Sequence, residues 1–516
     1  MISVSGVGGK ILAWARTSSE AARLRWAAAI FPMLFGCAII VFFFSRHYVY
    51  THDDAFISYT YAKNLALGRG LVFNPGERVW GFTSPLQTLL LGILAFLKSD
   101  LPAAGFLLSI IWISLNSWVV FRICSHILGS PWAAFLTALF VLTSGESYGY
   151  LGLESNLLVL LQCLFLLLLI EERYPLAAFV ASISCLARPD SMVLVAPIMI
   201  FTKECRRPQN IALFLVPGLA WSGFAFAYYG DILPNTLYAK QALHTFGEYF
   251  QTAFRGLVSM PGLEPGLSAQ SSFHAFIQIP SQVGSWLYPL LSLCSLLLSP
   301  MRRKPAVMYA LICYPWILIL AYARIGAPPE HTWEIYSATF FFHFAVLVGI
   351  WSLVWALRQP MLSHQFPWRL ARTSLIGAVL LLVIMVVWQN GHACFKTLRK
   401  QQNTYWLGGR HQEYLEVSRW INDHAPRGVT VASLEVGTIG YFSDVRMIDL
   451  YGLVTKGSKP GDPGWTLRQF RPDFVLFRGN IQAPITSGEN LHYQPVQFFP
   501  GPHYRPVTLA RRLEPA

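Results

Sequence analysis

The sequence predicts a mainly α-helical, polytopic membrane protein with about eleven transmembrane helices and a C-terminal soluble α/β domain. Three observations predict it. Hydrophobic residues fill 54% of the 516 positions and charged residues only 13%, against about 25% charged in an average soluble domain. Eleven apolar runs lie between residues 26 and 389, and threading them alternately puts every short basic cluster between spans on one face. From residue 392 onward no run can span, and helix and strand patterns alternate. A mean hydropathy of +0.44 excludes a disordered chain, a coiled coil and an ordinary cytosolic enzyme. The net charge of +13 belongs to cytoplasmic loops rather than to a nucleic-acid surface.

Residues 1–25 carry Lys10, Arg16, Arg23 and Arg25 and are expected in the cytoplasm. The first run, 26–44, is long enough to cross, since about 20 residues span a bilayer core. No small-residue cleavage site follows it, so it reads as an uncleaved helix that places His52, Asp53 and Asp54 outside. Further spans are expected near 101–121, 131–146, 154–170, 175–187, 191–202, 211–229, 284–300, 305–322, 337–357 and 373–389. The run 85–97 would break the alternation and is laid on the outer surface as an amphipathic helix. The transmembrane domain is then 26–391, with external loops 48–100 and 230–283, and the external α/β domain is 392–516. In that domain a helix is expected at 412–424, strands at 429–434, 446–450 and 473–477, and a glycine turn at Gly437 and Gly440. The eight cysteines are scattered, mostly in apolar runs, without a CxxC, and read as buried thiols rather than a metal site.

Asp53 and Asp54 directly follow the first span. Two such acids are ordinarily solvated charges at a helix end. Here Tyr59, Tyr61, Ala62, Leu65 and Ala66 recur at helical spacing behind them, so the pair is expected to cap a surface helix whose dipole keeps both carboxylates ionised. A carboxylate held there can accept a proton from a sugar hydroxyl. Glu154 opens one expected span, and Arg188-Pro189-Asp190 interrupts the apolar segment between two others. Charges at that depth are costly and usually face a wet cavity; the Arg–Asp pair reads equally as a structural salt bridge. Asp231, Asn235 and Lys240 lie in one turn-rich segment. Lys240 or Arg324 suits a lipid phosphate as point charge or fork, while snorkelling to headgroups is the plainer role for Arg324. Glu330, His331 and Glu334 lack metal-ligand spacing, and Glu77 reads as a solvated turn residue.

The segment from Asp53 to Glu77 with Gly81-Phe-Thr-Ser84, followed in order by Gly152-Leu-Glu154, Ala187-Arg-Pro-Asp190, Pro234-Asn-Thr236, Ala239-Lys240, Gly440-Tyr-Phe-Ser443 and Ile448-Asp-Leu-Tyr-Gly452, resembles bacterial C-type (GT-C fold) glycosyltransferases. Among these the sequence is most similar to terminal arabinofuranosyltransferases of cell-wall biosynthesis. Phe82-Thr-Ser84 replaces a Tyr-Thr-Asn stretch seen in many relatives. The resemblance implies a catalytic acid in the first external loop, matched by Asp53 or Asp54, and a polyprenyl-phosphate sugar as donor. The expected reaction is inverting transfer to a cell-envelope glycan, glycolipid or protein acceptor at the outer face of the bacterial cytoplasmic membrane. Lys240, Arg188 and Arg324 would stabilise the departing phosphate, with Asp190, Glu154 and Asn235 also lining the site. A lipid phosphate leaves without a nucleotide diphosphate, so no metal or other cofactor is expected to be required. Rival readings are a transporter or flippase for lipid-linked glycan and an inactive glycan-binding scaffold. A transporter would put ionisable groups at mid-membrane, often within internal repeats, and no repeat is visible.

Overall fold

The computed structural model describes residues 5–44, 52–240, 245–258, 289–297, 304–325, 332–357, 377, 408–459, 462–482, 485–486, 491–500 and 506–513. The expected last span, 373–389, lies outside these apart from residue 377, as do Glu330, His331 and the basic residues Arg302, Arg303, Arg358, Arg369 and Arg372.

The chain is mainly helical and integral to a membrane. In order it forms α1 (Ser5–Phe44), α2 (Ala55–Ala66), α3 (Pro85–Phe96), α4 (Leu101–Ile127), α5 (Pro131–Leu142), α6 (Gly145–Gly149), α7 (Ser155–Ile170), α8 (Tyr174–Ala187), α9 (Met192–Phe201), α10 (Pro208–Tyr229), α11 (Asn235–Ala239) and α12 (Phe246–Val258). Among the described residues five helices are long and apolar enough to cross a membrane: Ala22–Val41, Leu101–Ile127, Pro208–Tyr229, Pro305–Ile325 and Tyr336–Ala356. Pro85–Phe96, Ser155–Ile170, Tyr174–Ala187 and Pro189–Phe201 are shorter apolar helices.

Local chemistry sets these boundaries. Pro stands at the start of α3, α4, α5 and α10, where a missing N–H costs nothing. Ser84, Asp100 and Ser130 cap three of these helices through their side chains. Arg188 precedes Pro189, which disfavours helical backbone at the residue before it. Its φ of −157° and ψ of 132° are extended, so α8 ends and the Arg188 side chain is released from the helix surface. Helix α1 crosses α4 closely at Gly36, where a β-carbon would stand 2.8 Å from Ser114 Oγ. The largest apolar core joins α4, α5, α7, α8 and α9 to the helices Pro305–Ile325 and Tyr336–Leu357.

The C-terminal segment folds as a six-stranded sheet in the order β2-β1-β3-β6-β5-β4. Strands β1 (Thr430–Ser433), β2 (Arg446–Asp449) and β3 (Phe474–Arg478) are mutually parallel. β4 (Ile485–Thr486), β5 (His492–Phe499) and β6 (Val507–Arg512) complete an antiparallel half. Helices Gly408–His424, Gly437–Phe442 and Pro463–Phe470 cover it. Three strands and the first helix lie where the sequence puts them, but Gly437 and Gly440 sit in a short helix rather than a turn. These glycines are required by close approach. A β-carbon on Gly437 would meet Asp53 O at 2.0 Å, and one on Gly440 would meet the Phe73 ring at 2.6 Å.

Those contacts belong to a single apolar core that spans the loop and the tail. Tyr61, Leu71, Phe73, Trp80 and Phe82 pack with Tyr414, Val417, Val431, Ile439, Met447 and Val454. The exposed edge of β2 is also closed by the loop. Asn74 Nδ2 donates to Met447 O at 2.9 Å, and Met447 N donates to Asn74 Oδ1 at 3.0 Å. One amide side chain thereby takes the place of a neighbouring strand. Beside it Glu77 pairs with Arg446 and accepts from Asn74, so Glu77 is a docking residue and not a solvated turn residue.

Candidate active site

The loop 52–54 turns the chain into α2 through backbone bonds, with Asp54 N also donating to His52 Nδ1 at 3.4 Å. The amides of Ala55, Phe56 and Ile57 donate to the carbonyls of His52, Asp53 and Asp54 at 3.0, 2.9 and 3.2 Å. Neither carboxylate is needed as a cap, and Asp54 at the N-cap position makes no side-chain capping bond. This corrects the expectation that the acid pair caps the helix.

The two acids have separate fates. Asp53 is 8% exposed and faces the tail. It accepts from Thr438 N at 2.9 Å, from Gly437 N at 3.3 Å and from Thr438 Oγ1. Asp54 is half-buried, and among the described residues its carboxylate has no hydrogen-bond or ion-pair partner. Oxygens of Asp53, Asp54 and Glu435 all lie within 4.8 Å of one another. Glu435 follows β1 and pairs with Arg478 at 2.8 Å. Three carboxylate oxygens so placed are the kind of ligand that hard divalent cations take.

A second cluster forms at the break between α8 and α9. Arg188 is 4% exposed and spends its whole guanidinium on protein partners. Its Nη1 donates to Glu154 at 2.8 Å, its Nε to Asp190 Oδ2 at 3.1 Å, and its Nη2 to Tyr322 Oη at 3.0 Å. Tyr322 in turn donates to Asp190 at 2.6 Å, and Thr83 Oγ1 donates to Glu154 at 3.3 Å. Lys240 Nζ donates to Glu334 Oε1 at 2.6 Å. The Arg188–Asp190 pair is therefore a buried salt bridge that also engages Glu154. Such a pair is costly to break, because the surviving partner is left charged and unpaired.

Trp333 joins the two clusters. Its ring lies 4.9 Å from that of His52, next to Asp53, and its carbonyl accepts from Ser155 Oγ, next to Glu154, at 3.4 Å. Glu334, the partner of Lys240, is the next residue along the chain. Asn235 goes elsewhere: its amide donates to the carbonyls of Gly452 and Leu453 in the tail, so it is a docking residue. Arg324 is exposed in the last turn of its helix and has no ion-pair partner among the described residues. The sequence did not single out Glu435, Thr438, Tyr322 or Trp333. For Glu435 and Thr438 a signal existed, in that both lie in the segment after the carboxyl end of parallel strand β1, where open α/β sheets place functional groups.

Residues 398–512 match the model of a domain of unknown function, DUF8728. The chain is 27% identical over 217 residues to the terminal β-(1→2)-arabinofuranosyltransferase of Mycobacterium tuberculosis. That match covers 37% of this chain and 35% of the relative, so the chain spans about a third of the curated relative's length. Among solved structures it is similar to ArnT from Cupriavidus metallidurans bound to undecaprenyl phosphate, with a TM-score of 0.55, 9% identity, and 93% of this chain and 97% of that chain covered. The apo form of the same ArnT gives a TM-score of 0.53 at 10% identity, covering 94% of this chain and 98% of that one. The protein has the GT-C fold.

Proposed function

We propose that this protein is a membrane glycosyltransferase. It moves a sugar, arabinofuranose or another pentose or hexose, from a polyprenyl-phosphate donor to a cell-envelope glycan, glycolipid or protein acceptor. The reaction runs at the outer face of the bacterial cytoplasmic membrane, with the N-terminus in the cytoplasm and the α/β module outside. The ArnT-like fold and the arabinofuranosyltransferase relative support the class. The observation that carries the mechanism is the Asp54 carboxylate, without a partner among the described residues, beside an Asp53 whose own carboxylate is occupied.

Asp54 takes the proton of the acceptor hydroxyl as that oxygen attacks the anomeric carbon from the face opposite the phosphate. The bond from the anomeric carbon to the phosphate oxygen breaks, its electron pair leaves with polyprenyl phosphate, and the configuration inverts. Arg324, which has no ion-pair partner among the described residues, meets the lipid phosphate first. Lys240 and Arg188 would act on that phosphate only by exchanging a carboxylate partner for it, since each is held in an ion pair. The leaving group is a phosphate monoester and calls for no metal; turnover retained in excess EDTA is the check.

The test is transfer of radiolabelled arabinofuranose from a polyprenyl-phosphate donor to envelope glycan in proteoliposomes holding the purified protein. Labelled acceptor with inverted anomeric configuration supports the reading. Donor that crosses the bilayer intact would make the protein a transporter, and donor that binds without being consumed or moved would make it a scaffold.

A further inference from the structure

We propose that Thr438, in the C-terminal module, is a positioning residue for the aspartates of the first loop. It fixes Asp53, so that the adjoining Asp54 carboxylate is presented to the acceptor. The inference rests on the glycosyl-transfer reading above and extends it from the membrane domain to the tail.

The contact is built from both sides. Thr438 is fully buried and offers Asp53 both its amide, at 2.9 Å, and its hydroxyl, while Gly437 adds a second amide at 3.3 Å. Gly437 has no room for a β-carbon against Asp53 O, so only glycine lets the two backbones approach this closely. The rest of the helix Gly437–Phe442 is strapped to α2. Lys63 Nζ donates to Tyr441 O at 2.8 Å, and Phe56 packs against the rings of Tyr441 and Phe442 at 5.3 and 5.5 Å. A docking contact alone would need no carboxylate there. Putting one of two adjacent acids under three donors leaves the other with a defined backbone and an unspent side chain. Misplacing a reacting group by about 1 Å can cost about 100-fold in rate.

Thr438→Val nearly keeps the side-chain shape and puts a methyl in place of the hydroxyl that donates to Asp53. In the full-length reconstituted protein it should lower kcat about 10- to 100-fold, leave KM for polyprenyl-phosphate arabinofuranose and for acceptor within about twofold, and lower the unfolding temperature only by what one lost hydrogen bond costs, with the protein still folded at the assay temperature. Thr438→Ser, which restores the hydroxyl, should return kcat to within about threefold of the parent. A Thr438→Val enzyme with parental kcat, or one whose loss is matched by loss of folded protein, overturns the proposal. If the parent protein transfers no sugar, the glycosyl-transfer reading is what fails. The contact is then judged by hydrogen exchange at Gly437 and Thr438: Asp53→Ala should expose both amides and Asp54→Asn should not, and equal protection in all three proteins overturns it.

Discussion

Replacing Asp54 with Asn removes a proton acceptor and little else, because its carboxylate holds no partner among the described residues. Transfer should fall about 10²–10⁴-fold with the unfolding temperature unchanged, and a fall below tenfold would remove Asp54 from the base role. Asp53→Asn is a different change. It turns an amide donor toward the N–H and O–H donors of Gly437 and Thr438, so it should loosen the tail as well as slow transfer. Arg188→Met should act on stability before kinetics, since it strands Glu154 and Asp190 without their cation. A cost of about 3–5 kcal/mol is expected, read as lost thermal stability in detergent; a folded variant with only a raised donor KM would make Arg188 a substrate ligand instead. Asp53-Asp54 and Arg188-Pro189-Asp190 were legible because each is local in sequence and chemically odd for its surroundings. What separates Asp53 from Asp54 was not legible, because it depends on Thr438, 385 residues away. The bond of Asn235 to the tail was hidden for a related reason: an amide in a turn looks the same whether it binds a ligand or another loop.

At the scale of elements, the loop after β2 is organised by Asp449, which is fully buried at the strand's end. It accepts from the amides of Tyr451, Leu453 and Val454 at 2.8, 2.7 and 3.1 Å. Burial pushes its pKa up from 3.8 to about 6, against the pull of those amides. A raised folded value means that the native state holds the proton more tightly than the unfolded chain. Stability is therefore fully present below about pH 3.8 and is lost as pH rises through about 6. Between pH 7.5 and 5 the unfolding temperature of the α/β module should rise on acidification, by about 1 kcal/mol in stability, with the remainder gained only nearer pH 3.8. A flat or falling profile over that window would show that the amides outweigh burial. The first three strands were legible from their apolar runs. β5 was hidden because Pro495 and the register shift beside it break the period-two pattern.

Across the whole molecule, helix count and basic-residue bias made the membrane class readable, since both depend on composition within short windows. The joint between membrane and tail was unreadable, because Leu71, Phe73, Trp80 and Phe82 look like ordinary loop residues until Met447 and Val454 are placed against them. A reporter active only in the cytoplasm, fused after Ala516, should stay silent; strong signal would invert the proposed topology. A chain ending before Gly408 should fail to accumulate, because it leaves those four side chains uncovered, and normal accumulation with retained transfer would show the joint to be dispensable.

That joint also sets a clock on biosynthesis. Asp53 emerges early, yet Gly437, the first of its partners in the tail, is 384 residues further along the chain. At about 5–20 residues per second, some 20–80 seconds of translation separate the two. Throughout that interval the aspartate loop waits without its anchor and its aromatic face is open to chaperones or to neighbouring chains. On the proposed topology, the nascent protein cannot bring Asp53 to its anchor until the α/β module has been made and translocated. Quality control that reads the uncovered loop is reading, in effect, whether the fold is complete.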